Sequence, residues 1–216
     1  MNIRLLAAAE SVAVAAADLI GDAIEAGART LVLAGGSTPK RAYQLLAGRQ
    51  LGWWGRVTVL FGDERCVSPF DPESNYRMAK EELLDRVHPG SVHRMPAELG
   101  AEEAAELYDR VVQGLSPLDL VLLGMGPDGH TASLFPGNPA LEATGCVVPV
   151  HGAPKPPPDR VSLTLGTLRE ARRVVLMITG ADKAEALARA RRGVVPAGMI
   201  AGAEFLVDRA AAAMLD

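Results

Sequence analysis

The sequence predicts an α/β domain built on a mostly parallel sheet covered by helices on both faces. Short apolar runs alternate with helix-length segments. The runs are apolar without alternation, as befits strands buried on both sides. Several of them end abruptly in loops rich in Gly and polar residues, where ligands of open α/β sheets bind.

The elements follow in order. Ser11 can cap a helix that runs to Gly27, a plausible residue just past a helix end. Thr30 to Ala34 reads as a buried strand. Thr38 can be the cap of the next helix, with Pro39 at its first position, and that helix ends near Gly48. Val57 to Phe61 is a second strand that runs into a polar loop, Gly62-Asp63-Glu64-Arg65. Helices are expected over Asn75 to Val87 and Ala101 to Gly114. Asp119 to Leu123 is a third strand. Val161 to Leu165 and Val174 to Thr179 are further strands, a helix follows from Asp182 to Arg191, and Ala203 to Val207 reads as a last strand. The Pro-rich stretch Pro154 to Pro158 fits neither helix nor central strand and is too short for an interdomain linker. One domain over residues 1–216 is therefore expected, with no internal repeat.

Bulk properties exclude several classes. The chain has 216 residues, 49% of them apolar, and a formal net charge of −4. Nucleic-acid and membrane-surface proteins usually carry a basic excess, so neither partner is expected, and an anionic ligand needs a local basic pocket. Lys occurs only at positions 40, 80, 155 and 183. The two cysteines, Cys66 and Cys146, show no metal spacing and suit a reducing, cytoplasmic setting. Arg4 followed by Leu5 to Ala9 imitates a secretory signal, but Glu10 breaks the apolar run well short of the roughly 7–15 residues such a segment needs. An amphipathic helix is the better reading, and no stretch approaches the roughly 18 apolar residues of a membrane span.

The chemistry gathers in three loops that should converge on one cleft. Loop one, Gly35-Gly36-Ser37-Thr38-Pro39, combines glycines that let backbone approach a ligand with free amides at a helix start, which favour an anion. It reads as a phosphate cradle, although a capped turn that binds nothing has the same pattern. Loop two offers two carboxylates beside Arg65, suited to a hydroxylated ligand or to an ion pair among themselves. Loop three, Gly124-Met125-Gly126-Pro127-Asp128-Gly129-His130, imitates a dinucleotide fingerprint, but Pro136, Gly137 and Pro139 cut short the helix this would require. What remains is a Gly-rich loop with one Asp and one His. His88 and His93 read as surface residues, and His151 is ambiguous. Asp128 and His130 supply two metal ligands with no third at a useful spacing, so no metal is expected.

These residues carry a resemblance. The stretch from Gly124 to Gly137 resembles the signature of the 6-phosphogluconolactonase family. So do loop one, loop two with Ser74-Asn75-Tyr76, the run Lys155-Pro156-Pro157-Pro158 with Arg160, and Thr179-Gly180 with Lys183-Ala184. The glucosamine-6-phosphate deaminases are similar at the phosphate loop, at Asp128-Gly129-His130 and at the last Lys. They usually continue with Ile-Ala-Phe-Asn-Glu, where this chain has Thr131-Ala132-Ser133-Leu134-Phe135. One departure is the Gly198 to Phe205 segment, where an aromatic Trp-Leu-Leu-Asp type strand is expected and Glu204-Phe205-Leu206-Val207-Asp208 stands.

The resemblance implies a Rossmann-like sheet of the sugar-phosphate isomerase type and a cofactor-free hydrolase of 6-phospho-D-glucono-1,5-lactone, with His130 as general base. It also implies functional coupling to glucose-6-phosphate dehydrogenase in the oxidative pentose phosphate pathway, by a monomer or homodimer. Asp128 would orient His130 or the sugar hydroxyls, and glycine amides from Gly124 to Gly129 would receive the oxyanion. Phosphate would sit on Gly35, Gly36, Ser37 and Thr38, neutralised by Lys183 and by Arg160 or Lys155. Arg65 can serve either the phosphate or the carboxylate end, while Asp63 and Asn75 belong to the substrate site. Two alternatives stay open. One is an isomerase-deaminase using Asp63 or Glu64 to abstract a proton. The other is a sugar-phosphate sensor with no use for His130.

Overall fold

The computed structural model of the chain describes residues 1–49 and 52–215. Its strands are β1 (Asn2–Leu6), β2 (Thr30–Leu33), β3 (Thr58–Phe61), β4 (Asp63–Arg65), β5 (Ser91–Val92), β6 (Leu120–Gly124), β7 (Val147–Val150), β8 (Arg160–Leu163), β9 (Val174–Ile178) and β10 (Glu204–Asp208). The helices are α1 (Ala9–Glu25), α2 (Ser37–Ala47), α3 (Asn75–Ala79), α4 (Asp85–Val87), α5 (Ala101–Leu115), α6 (Leu165–Glu170) and α7 (Ala184–Arg191). A π-helical turn, Lys80–Leu84, joins α3 to α4, so the expected helix from Asn75 to Val87 is one run with a bulge.

Seven strands form a parallel sheet in the order β1-β10-β9-β6-β2-β3-β5. Every residue of β2 and β9 is buried, which is why their sequences are unbroken apolar runs. From β2 the chain moves outward through β3 to β5, then returns to β6 on the other side of β2. The order reverses between β2 and β6, so loops one and three diverge at this switch point and leave a crevice beyond the strands' carboxyl ends. The opposite end is tied shut: Asp119 Oδ2 accepts from the amides of Arg29 and Thr30, and the Asp119 amide donates to Thr30 Oγ1.

The structure corrects the sequence reading in four places. Loop two is a short strand: β4 joins β8 and β7 in a separate antiparallel sheet of order β4-β8-β7. The segment near Val161 therefore does not belong to the parallel sheet. β1, β5 and β7 were not anticipated. Helix α1 begins at Ala9, ahead of Ser11, and Gly27 follows its end with φ +105°. Helix α2 begins at Ser37 with Gly36 as its cap at φ +108°, a conformation that only Gly adopts cheaply. Thr38 is thus inside the helix, and its hydroxyl instead meets Thr179 Oγ1 at 2.7 Å.

Buried tyrosines hold the strand ends. Tyr43 of α2 donates to Ala34 O and accepts from Ala34 N at 2.8 Å, which closes the turn of loop one. Tyr108 of α5 accepts from Phe61 N at 2.8 Å, which fixes the strand leading into loop two. Each is fully buried, and burying so large a ring contributes roughly 1.5–3 kcal/mol.

Candidate active site

A cleft of about 380 Å³ opens over the switch point. Loops one, two and three all line it, together with the Pro-rich connection between β7 and β8 and the start of the α7 segment. Of the residues anticipated from sequence, Gly35, Gly36, Ser37, Thr38, Asp63, Arg65, Asn75, His130, Lys155, Arg160 and Lys183 all line the cleft. Asp128 does not; it stands behind His130.

His130 is the best-defined group. Its Nδ1 lies 2.5 Å from Asp128 Oδ1, and its amide also donates to that oxygen at 3.2 Å. With Nδ1 committed to Asp128, Nε2 is left with no hydrogen bond from the described residues. Gly126 makes room for this arrangement: a Cβ there would collide with the His130 ring and with Asp128 Oδ1. The Phe135 ring tilts against the imidazole with centroids 4.5 Å apart. Burial pulls the His130 pKa below its ordinary value; the Asp128 and Asp63 carboxylates work against this and the Arg160 guanidinium works with it. Burial also raises the Asp128 carboxyl, but its contact with His130 outweighs that and holds it below the usual range. The pair is therefore a neutral imidazole held by a carboxylate, able to accept a proton at Nε2 near neutral pH.

Two of the loop-three amides expected to receive an oxyanion are committed elsewhere. Gly126 N donates to His130 O at 2.9 Å and Gly129 N donates to Gly126 O at 3.0 Å. Both close the turn that presents His130, so neither can receive an oxyanion.

Loop one lines the cleft at the start of α2. No side chain caps α2, and its first residues line the cleft, an end where the helix dipole favours negative charge. Lys183 lines the same cleft, but its Nζ lies 2.8 Å from Asp182 Oδ2, so an anion must compete with that carboxylate.

Arg65 and Arg160 are cross-strand partners on β4 and β8, and both line the cleft. Like charges placed opposite each other are unfavourable unless an anion offsets them. Arg65 Nε is buried with no hydrogen-bond partner among the described residues. Arg160 donates from Nε to Pro157 O and from Nη2 to Lys155 O, at 3.1 and 3.0 Å. It thereby shapes the Pro-rich connection that carries Lys155, and its guanidinium also lies over the Phe135 ring. Burial pulls the Arg160 pKa down; Asp63 opposes this and Arg65 adds to it.

Glu64 is not a site residue. Its carboxylate accepts from the amides of Arg65, Asn75 and Tyr76 and from Ser74 Oγ. Burial pushes its pKa up against these four bonds, and its work is to anchor the start of α3. His151 is exposed and bridges Asp159 and Glu102, away from the cleft. Burial pushes the Cys66 thiol up to about 11 and raises Cys146 as well, so neither is a thiolate nucleophile at neutral pH. Among the described residues, no three His, Cys, Asp or Glu side chains gather as a metal site, and no helix is long and apolar enough to cross a membrane. Sequence reasoning missed Phe135, Thr179, Asp182 and Ser133. The first three lie within the recognised motifs and line the cleft, which only packing reveals.

Residues 5–207 match the family described as glucosamine-6-phosphate isomerases/6-phosphogluconolactonase. A 6-phosphogluconolactonase of Streptomyces coelicolor is 40% identical over 232 residues, covering 93% of this chain and 89% of its own. The solved 6-phosphogluconolactonase of Trypanosoma brucei has a TM-score of 0.91 at 29% identity, covering 100% of this chain and 98% of that one. A monomeric glucosamine-6-phosphate deaminase reaches a TM-score of 0.86 at 23% identity, covering 99% and 100%, a likeness of fold alone.

Proposed function

The chain belongs to the glucosamine-6-phosphate isomerase/6-phosphogluconolactonase family, and on that footing we propose that it hydrolyses 6-phospho-D-glucono-1,5-lactone to 6-phospho-D-gluconate. The observation that carries this reading is the His130–Asp128 contact of 2.5 Å in a cleft that also holds an anion cradle.

A δ-lactone is a reactive ester, so no covalent nucleophile is required. Neutral His130 takes a proton from water at Nε2 as the water oxygen bonds to C1. The tetrahedral oxyanion collapses, the bond from C1 to the ring oxygen breaks, and the imidazolium returns its proton to the departing oxygen. Such proton transfer contributes about 10²–10⁴-fold in rate. With the Gly126 and Gly129 amides committed, the oxyanion falls to the cationic wall of Arg65, Arg160 and Lys155. Phosphate lies on Gly35 to Thr38 with Lys183. No metal enters the scheme.

A deaminase would need a carboxylate free to abstract a carbon-bound proton. Glu64 lies outside the cleft lining, which leaves Asp63 as the one candidate of the two, and its oxygens are already oriented by Asn75 and Ser133. A sensor would have no use for an oriented imidazole. We assign the reaction to the cytoplasm and to the oxidative pentose phosphate pathway, after the dehydrogenase that makes the lactone, by one domain spanning the chain. The test is purified protein with freshly made 6-phosphogluconolactone, following acid release. Acid release no faster than without protein would overturn the proposal.

A further inference from the structure

A buried polar chain runs beneath the cleft, and the hydrolytic steps above leave it unused. Ser133, which is 0% exposed, donates from Oγ to Asp63 Oδ2 at 2.6 Å. Its amide donates to Ser162 Oγ at 3.2 Å, and that hydroxyl donates to Leu163 O. From the other side, Asn75 Nδ2 donates to Asp63 Oδ1 at 3.1 Å and to Asp63 O at 2.9 Å. Asn75 is itself wedged against loop one, because a Cβ on Gly35 would collide with its Oδ1. The network thus ties loop two to the turn that follows loop three, and Asn75 packs it against loop one.

The network fixes the plane of the Asp63 carboxylate from both edges. Asp63 is only 7% exposed, and it lines the cleft. Among the described residues it forms no ion pair. A buried carboxylate is costly unless its acceptor sites are filled, and two oxygens offer about four such sites. Two are filled by Ser133 and Asn75; the others need donors. A ligand rich in hydroxyl groups supplies them. The turn that delivers Ser133 is itself strained: Ala132 adopts φ +47°, an uncommon conformation for a residue with a Cβ.

We propose that Ser133 is a specificity-determining positioning residue. Its hydroxyl, with the Asn75 amide, holds Asp63 so that the carboxylate accepts hydrogen bonds from ring hydroxyls of the lactone, which selects polyhydroxylated lactones over deoxygenated ones. This rests on the lactonase reading, with Asp63 as a hydroxyl reader beside the reacting centre rather than as a base.

The experiment measures kcat/KM for 6-phosphogluconolactone and its 2-, 3- and 4-deoxy analogues, in wild type, Ser133→Ala, Ser133→Thr and Asp63→Asn. In wild type, removing the hydroxyl that Asp63 reads lowers kcat/KM by about 10- to 150-fold, as expected for a hydrogen bond to a charged group. Ser133→Ala loses activity on the parent lactone but much less on that deoxy analogue, so discrimination shrinks by about 5-fold or more. Ser133→Thr, which keeps a hydroxyl, restores it. Asp63→Asn, close to isosteric, shows the same shrinkage and stands in if Ser133→Ala does not fold. Equal losses on every lactone mean that Ser133 is merely structural, and equal turnover of all lactones by wild type means that Asp63 reads no hydroxyl; either overturns the proposal. Wild type inactive on the parent lactone overturns the lactonase reading itself, and this proposal with it, a distinct result.

Discussion

Asp128 Oδ1 meets His130 Nδ1 at 2.5 Å while also accepting the His130 amide. One carboxylate oxygen therefore sets both the tautomer and the orientation of the imidazole. Asp128→Asn is expected to lower kcat by about 10²-fold, because the amide no longer enforces the tautomer with a basic Nε2. Burial places the His130 pKa below about 6.5, and the neutral ring is the active form. Wild-type kcat/KM should thus fall on the acid side with a midpoint below that value. Asp128 raises the His130 pKa, so the midpoint should move further to acid in the variant. A kcat/KM–pH profile of Asp128→Asn that overlays wild type would remove Asp128 from the mechanism.

Gly126 is expected to matter only through His130. An added methyl meets the imidazole and Asp128 rather than backbone, so Gly126→Ala should fold but displace the ring. Its kcat should drop by about 10²-fold. The double variant with His130→Ala should be no slower than His130→Ala alone, since both changes remove one function. Additive losses would show that Gly126 has some other role.

The location of the cleft was legible in the sequence because three buried strands read as unbroken apolar runs and each stops at a Gly-rich loop. Its contents were less so. β4 and β7 are three and four residues long, too short for a periodic signal, and β7 contains Pro149. β1 is an edge strand with mostly exposed residues, and it read as part of a helix. The Thr38 cap failed because Gly36 already supplies the turn, which frees Thr38 to bind Thr179. Two of the expected oxyanion donors fell away because pattern reading cannot tell that Gly126 N and Gly129 N are spent within their own turn. Ser133 was visible only as one letter of a motif until its hydroxyl was found against Asp63.

Lys183 is expected to anchor phosphate despite its contact with Asp182. Lys183→Ala should raise KM for the phosphorylated lactone by about 10- to 150-fold, the cost of one charge-assisted contact. Slow turnover of unphosphorylated gluconolactone should stay nearly unchanged. Side-by-side kcat/KM values decide the matter, because a common factor on both substrates would show that Lys183 acts on something other than phosphate.

Activity should survive exhaustive dialysis against EDTA. Asp128 and His130 offer only two ligands, and the described residues gather no cluster of three. Loss of turnover that zinc or magnesium restores would contradict this and would require the His130–Asp128 pair to be reassigned as ligands.

The central claim is that His130 moves the proton, and the most direct measurement is kcat of His130→Ala on freshly made 6-phosphogluconolactone. The account predicts a fall of about 10²-fold or more, measured on protein whose cooperative thermal unfolding shows that it is folded. A folded His130→Ala protein that keeps near-normal turnover would contradict it.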